Sequence, residues 1–321
     1  MSLTSKSVLV TGGAGFIGSH LVDRLIRESP SRVTVVDSFF LGSMENLDAA
    51  RAAFPDLEVI RHDASDLAAM QDIVTARQVD TLFDLAVIPL PTSLTYPAWT
   101  VQTNVGIATT VCELARRDLI GRLFHLSSSE AYGSARYIPM DEDHPHDSIT
   151  PYAASKSAAD RIIESYVQTF EIDATVVRPF NNIGPRQNPG SYAGIVPIVI
   201  QRVLAGQPIE IFGDGEQTRD FIFAPQTADL IVAVHDAPEC RGQVLNVASG
   251  TETSVNDLVR RILALMDAPD HPVVYGPDRP GDVRRHLADV SKMRQLLDRE
   301  PPTLDDEALA QTIEWYRGVL A

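Results

Sequence analysis

Cysteine is nearly missing from this chain of 321 residues: only Cys112 and Cys240 occur. Neither belongs to a CxxC or Cys/His spacing, so no metal site is expected and two buried thiols in a reducing cytosol are. Long apolar runs are missing too. No stretch approaches the roughly 20 apolar residues that a membrane helix needs, and the N-terminus enters the apolar run "SVLV" without a cleavable signal pattern. A cytoplasmic protein with no membrane partner is expected. Basic residues are outnumbered, 27 Lys and Arg against 43 Asp and Glu, for a formal net charge of -16. Such a field repels nucleic acid and anionic membranes. There is no internal repeat and no low-complexity tract.

What remains is an ordinary globular composition, 44% hydrophobic and 22% charged, long enough for one large or two modest domains. Six short apolar runs, "SVLVTG", "RVTVVD", "LEVIRHD", "VDTLFDLA", "GRLFHLSS" and "DATVVRP", alternate with amphipathic stretches such as "HLVDRLIRES" and "MQDIVTARQ". The runs are too continuous for a half-exposed antiparallel sheet. The alternation predicts an α/β fold with a Rossmann-like, doubly wound parallel sheet. After about Arg178 proline and glycine become frequent, which predicts a smaller C-terminal lobe. The expected division is 1–178 for the dinucleotide-binding domain and 179–321 mainly for a substrate-binding lobe. Segments near 226–250 ("TADLIVAVHDA", "VLNVAS") are expected to return to the first domain.

"VLVTGGAGFIGSHLVDRL" places Gly12, Gly15 and Gly18 at three-residue spacing between a strand and a helix. Glycines there permit a tight turn, close backbone approach to a pyrophosphate and close helix–sheet packing. A lone glycine pattern is weak, but here Asp37 also ends the next strand, nineteen residues past Gly18. Its carboxylate would accept from the adenine ribose hydroxyls and oppose a 2′-phosphate, so NAD is expected rather than NADP; capping of a turn is the bland alternative. Asp63 is placed either at the adenine edge or as a cap of the following helix.

In "TPYAASKSAADRIIESY" Thr150 can cap, Pro151 suits the first helical position, and Tyr152 and Lys156 fall one turn apart on one face. A YxxxK spacing alone is often a surface pair. With a dinucleotide motif upstream and Ser128 at a strand end, it becomes specific.

Through "TGGAGFIGSH", "SSSEAYG", "YAASK", "RPFNNIGPRQ", "GDGEQTRDF" and "RPGDVRRHLADVSK" the chain resembles, over nearly its whole length, the extended short-chain dehydrogenase/reductases that act on nucleotide sugars. The resemblance implies an enzyme in which Tyr152 takes the proton of the sugar's 4-hydroxyl and Ser128 hydrogen-bonds the same oxygen. Lys156 lowers the tyrosine's pKa and holds the nicotinamide ribose. It also implies cofactor contacts from Phe16, Ile17 and Ala86, a diphosphate grip by Asn181, Arg219 and Arg279, a nucleoside-ribose contact at Asp282, a UDP-sugar substrate and a homodimer. One departure stands out: the fourth strand continues as "DLAVIPLPTSL", so Pro89 offers no donor to the cofactor and apolar Ile88 and Leu90 are expected at the sugar pocket.

Glu130 separates the reactions open to such a family. A 4-epimerase has no use for a carboxylate two residues after Ser128, whereas a dehydratase needs a base at C5. The family's 4,6-dehydratases carry Thr-Asp-Glu or Thr-Ser-Glu where this chain has Ser128-Ser129-Glu130, so the base is present and the dedicated aspartic acid is not. UDP-glucuronate decarboxylases carry a similar glutamate, and a loop carboxylate is the bland alternative. Length and motif details resemble the UDP-N-acetylglucosamine 5,6-dehydratases of tunicamycin-type antibiotic pathways. Dehydration is therefore expected, with 4-epimerisation and decarboxylation as the other enzymatic readings. An NAD-binding sensor is the non-enzymatic one, against which Ser128, Tyr152 and Lys156 together argue.

Overall fold

A computed structural model of the chain describes residues 2–190, 194–277 and 284–320. The first part alternates β1 (Ser7–Thr11), α1 (Phe16–Ile26), β2 (Arg32–Asp37), α2 (Asp48–Ala53), β3 (Glu58–Arg61), α3 (Leu67–Arg77), β4 (Thr81–Asp84), α4 (Leu90–Thr95), α5 (Pro97–Arg116), β5 (Arg122–Leu126), α6 (Pro151–Phe170) and β6 (Ala174–Pro179). The six apolar runs are thus six strands. The later part carries β7 (Asn181–Ile183), α7 (Ile195–Leu204), β8 (Ile209–Phe212), β9 (Thr218–Phe223), α8 (Ala224–Asp236), β10 (Val244–Val247), β11 (Glu252–Ser254), α9 (Val255–Leu265), β12 (Val273–Gly276), α10 (Ser291–Leu297) and α11 (Asp306–Leu320).

The large sheet has the order β10-β6-β5-β4-β1-β2-β3, and every pairing in it is parallel. All five residues of β1, β5 and all four of β4 are buried, as strands covered on both faces must be. One face packs against α1 and α8, the other against α3, α5 and α6. Strand β10 comes from the later part of the chain and extends the sheet beside β6. The strand order reverses between β1 and β4, and their carboxyl ends open the crevice where a doubly wound sheet binds its ligand. A separate apolar core lies among α7, α9, α11, β8 and β9, beside a three-stranded sheet β11-β9-β7 and the parallel pair β12-β8.

Two glycines decide how closely α1 approaches the sheet. Gly12 adopts φ +66°, and a Cβ there would stand 2.7 Å from the Leu85 backbone. A Cβ on Gly18 would stand 2.1 Å from the Gly12 carbonyl oxygen. Only glycine lets the helix begin that near the strand.

Candidate active site

A cavity of about 760 Å³ lies over the carboxyl ends of β1 and β4. The glycine loop, Phe16, Ile17, Asp37, Asp63 and Ala86 line it, and so do Ser128, Tyr152 and Lys156. Residues spread from 12 to 156 in sequence are gathered by the sheet into one cleft. The N-terminus of α1 begins at Gly15 with no side-chain cap, which leaves its first amides for an anion. Asp37 is buried, and its two carboxylate oxygens accept the Phe39 amide at 2.8 Å and the Ala14 amide at 3.0 Å. Burial raises its pKa against the pull of those two donors. Asp63 lines the cavity while accepting from the Ser65 amide and hydroxyl at 2.9 and 2.8 Å. It does not cap the following helix; Asp66 does, accepting from the Ala69 amide.

Tyr152 and Lys156 owe their places to the start of α6. Thr150 Oγ1 accepts the Ala153 amide at 3.1 Å and Pro151 occupies the first turn. Farther along, Asp160 is bonded to Arg178 of β6 at 2.7 Å, and both are buried. The Arg178 guanidinium also stacks over the Tyr132 ring, 4.8 Å from its centroid, which ties the "EAYG" segment to the same helix. Lys156 donates to the Leu126 carbonyl at 2.8 Å. Its pKa is lowered by burial and supported by the charges of Asp84 and Asp160. Tyr152 is pushed up to about 12 by burial, while a hydrogen bond to Ser128 pulls it down and Glu130 and Asp160 add to the rise. It is protonated at neutral pH in the unliganded protein, so work as a base calls for cationic help.

Ser128 caps the short 3-10 turn Ser129–Tyr132, its hydroxyl accepting the Glu130 amide at 3.2 Å. Capping is therefore the work of Ser128, and the Glu130 carboxylate is left for something else. Burial raises the Glu130 pKa and the Arg219 charge lowers it. Glu130 also acts on Tyr152, so its charge is coupled electrostatically to both the tyrosine and the arginine.

Asn181 and Arg219 are not among the residues that line the dinucleotide cavity. Asn181 Nδ2 donates to the Asp220 carbonyl at 3.4 Å and lies 3.5 Å from His286 Nδ1. Arg219 acts electrostatically on both Glu130 and His286. Arg279 and Asp282 lie outside the described residues. In the apolar 87–91 stretch, Ile88 and Pro89 line the cofactor cavity, whereas Leu90 does not. Ile88 is pinned there by Asn104, which accepts its amide at 2.8 Å and donates to its carbonyl at 3.1 Å. Sequence reasoning missed Asn182, Arg186, Gln187 and Asn188, which line the cavity from the segment after β6. The string "NNIGPRQN" held the signal, a run of polar side chains beside a Gly-Pro turn.

A glycine cradle under an uncapped helix, a buried acid at the end of β2, and a tyrosine and lysine lining the same cleft are the arrangement that a dinucleotide-binding site requires. The sequence pattern of the NAD dependent epimerase/dehydratase family matches residues 8–248, and the chain belongs to that family. It is an NAD-dependent enzyme of nucleotide-sugar epimerase/dehydratase type. The chain is 35% identical over 312 residues to a UDP-glucose 4-epimerase of Mycolicibacterium smegmatis, covering 97% of this chain and 98% of that one. Among solved structures it is similar to a UDP-N-acetylglucosamine 4-epimerase from Methanobrevibacter ruminantium in complex with UDP-N-acetylmuramic acid. That match has a TM-score of 0.91 and 32% identity, and covers 98% and 99% of the two chains. It is also similar to a double mutant of the dTDP-glucose 4,6-dehydratase from Streptomyces venezuelae with NAD bound. Here the TM-score is 0.88 and the identity 30%, with 97% and 96% of the chains covered. These relatives include both epimerases and dehydratases, and they give the tunicamycin-pathway resemblance no support.

Proposed function

We propose that the protein is a nucleotide-sugar dehydratase acting on a UDP-hexose, with UDP-N-acetylglucosamine the first candidate. The observation that carries this reading is Glu130: a half-buried carboxylate that acts electrostatically on Tyr152, is not used as a cap, and has its proton affinity raised by partial burial. A base held above the usual carboxylate range is the better proton acceptor from carbon.

NAD, when bound, supplies the acceptor and donor of the hydrogen at C4 of the sugar. The glycine loop, Asp37 and Lys156 would hold it. Ser128 and Tyr152 share the sugar's 4-hydroxyl, Tyr152 taking its proton. The positive charge of Lys156 favours the tyrosinate. With C4 at the ketone level the C5 proton is acidic, and Glu130 takes it as the C6 hydroxyl departs. Ser129 is buried and a poor acid, so the proton reaching that hydroxyl is the one Glu130 has just gained, or comes from water. A 5,6-alkene is the product if the hydrogen returns to C4.

The relatives named above favour one other reading, a 4-epimerase, in which Glu130 has no proton to move. Incubation with UDP-N-acetylglucosamine, UDP-glucose, dTDP-glucose and UDP-glucuronate, followed by mass spectrometry, separates them. Loss of one water supports dehydration, an unchanged mass with inverted C4 means epimerisation, and loss of carbon dioxide means decarboxylation. Tyr152→Phe should abolish turnover of every substrate while the fold and NAD affinity persist.

A further inference from the structure

Behind Lys156 runs a chain of polar groups buried inside apolar strands. β4 and β5 pair in parallel with Asp84 beside His125, and these side chains are 0% and 2% exposed. His125 Nδ1 lies 2.7 Å from Asp84 Oδ2. The other carboxylate oxygen accepts from the Thr11 hydroxyl at 2.6 Å. That hydroxyl in turn accepts the amides of Leu85 and Ala86, which border the cofactor cavity. On the far side of the ring, His125 Nε2 lies 3.2 Å from Lys156 Nζ.

With Asp84 as a carboxylate and Lys156 as an ammonium, the hydrogen-bonding roles in this chain are fixed. An ionised carboxylate only accepts, so the imidazole nitrogen facing Asp84 carries the ring's proton. An ammonium only donates, so the nitrogen facing Lys156 offers a lone pair. A charged imidazolium would turn an N–H toward the ammonium, and both burial and the Lys156 charge push His125 below its ordinary pKa. We propose that Asp84 and His125 are a positioning pair for Lys156: Asp84 locks His125 as the neutral Nδ1–H tautomer, and His125 Nε2 and the Leu126 carbonyl take two of the three ammonium protons. The third is left for the site, and the Asp84 charge, one imidazole away, keeps the amine protonated. This rests on the reading of Tyr152 and Lys156 given above. It goes beyond that reading in assigning the lysine's charge to two residues that do not line the cavity.

The charged and titratable groups around the pair are few. From α6 come Lys156 and Asp160; from α5, Cys112; β1 gives the Thr11 hydroxyl. Asp160 is tied to Arg178 of β6, and burial together with the Asp84 charge raises the Cys112 thiol. Lys156 is thus the group that Asp84 and His125 govern.

Two measurements on the NAD-loaded enzyme test this. In the first, ¹⁵N-histidine NMR follows His125, identified by the signal missing from His125→Gln. The expected result is a neutral Nδ1–H tautomer that does not titrate between acid and mildly alkaline pH. An Nε2–H tautomer, or a ring that titrates near the ordinary histidine value, overturns the proposal, and neither outcome depends on any sugar being turned over. In the second, the pH profile of NADH formation in a single turnover with UDP-N-acetylglucosamine or UDP-glucose is compared among variants. Activity rises as Tyr152 loses its proton, so weaker support from Lys156 moves the acid limb to higher pH. His125→Leu and Asp84→Asn should each move it up by about one unit, a scale typical of a nearby charge or hydrogen bond. His125→Gln, which keeps one donor and one acceptor, should restore it. A merely structural role lowers the rate and the melting temperature of all three and leaves the limb in place, which overturns the proposal. If wild type oxidises none of these sugars, the proposed function fails and the NMR result alone decides this inference.

Discussion

Asp37 shows how one carboxylate can hold a turn and still keep lone pairs facing a cavity. Each of its oxygens already accepts an amide, yet each keeps further lone pairs, and the group lines the cofactor cavity. Asp37→Ala removes a charged acceptor, and such hydrogen bonds contribute about 1.5–3 kcal/mol. NAD affinity measured by calorimetry should fall roughly tenfold or more, and discrimination against NADP should relax, since the charge opposing a 2′-phosphate is gone. Wild type that binds NADP as tightly as NAD would contradict this role. Arg219 is the other residue whose charge can be tested alone. Arg219→Ala should weaken UDP binding by a comparable factor, from the loss of charge-assisted contacts to phosphate. It should also raise the Glu130 pKa further, because the Arg219 charge is what pulls it down. Unchanged UDP affinity would leave Arg219 serving Glu130 only. At this scale the sequence was legible where a motif carried the residue, as with Gly12, Asp37, Tyr152 and Lys156. It was not legible where partners meet only in space. Nothing linear joins Asp84 to His125, although a titratable side chain directly after the apolar pair Leu-Phe in both "TLFD" and "RLFHL" was a signal.

Among the elements, α1 and α6 do the positioning, by different means. α1 depends on a missing side chain, so Gly18→Ala must push helix and loop apart. A methyl 2.1 Å from the Gly12 carbonyl exceeds ordinary overpacking, which typically costs about 1–3 kcal/mol, and thermal denaturation should show at least that loss. A variant as stable as wild type, with NAD affinity intact, would mean the cradle is looser than described. α6 depends on its cap and its buried ion pair. Thr150→Ala should cost about 1 kcal/mol, with a lower melting temperature as the readout. Capping chemistry is local, so Thr150 and Pro151 were readable in advance, as were the six strands, whose continuous apolar runs match burial on both faces. The pairing of Asp160 with Arg178 was not readable, because it links a helix to a strand through side chains that sequence alone shows as ordinary surface charges.

At the scale of the whole molecule, the sheet brings Ser128, Tyr152 and Lys156 to one cavity with the glycine loop, and the later part of the chain brings Arg219 and His286 into electrostatic range of one another and Arg219 into range of Glu130. The change of texture after Arg178 was visible in sequence, and β10 from that later part pairs with β6 of the large sheet. The electrostatic coupling of Glu130 to Arg219 was not visible in sequence, since it depends on how β9 is laid beside β7. On the proposed reading, Glu130 is the residue at which dehydration and epimerisation part. The most direct measurement is a comparison of wild type and Glu130→Gln with UDP-N-acetylglucosamine in deuterated water at stoichiometric enzyme, read by mass and proton spectra. Wild type should lose one water, and Glu130→Gln should still oxidise C4, because Ser128, Tyr152 and Lys156 remain. It should eliminate water about 10²-fold or more slowly, since a neutral amide cannot take the C5 proton. Dehydration by Glu130→Gln at the wild-type rate, or a wild-type product of unchanged mass with C4 inverted and no exchange at C5, would contradict the account.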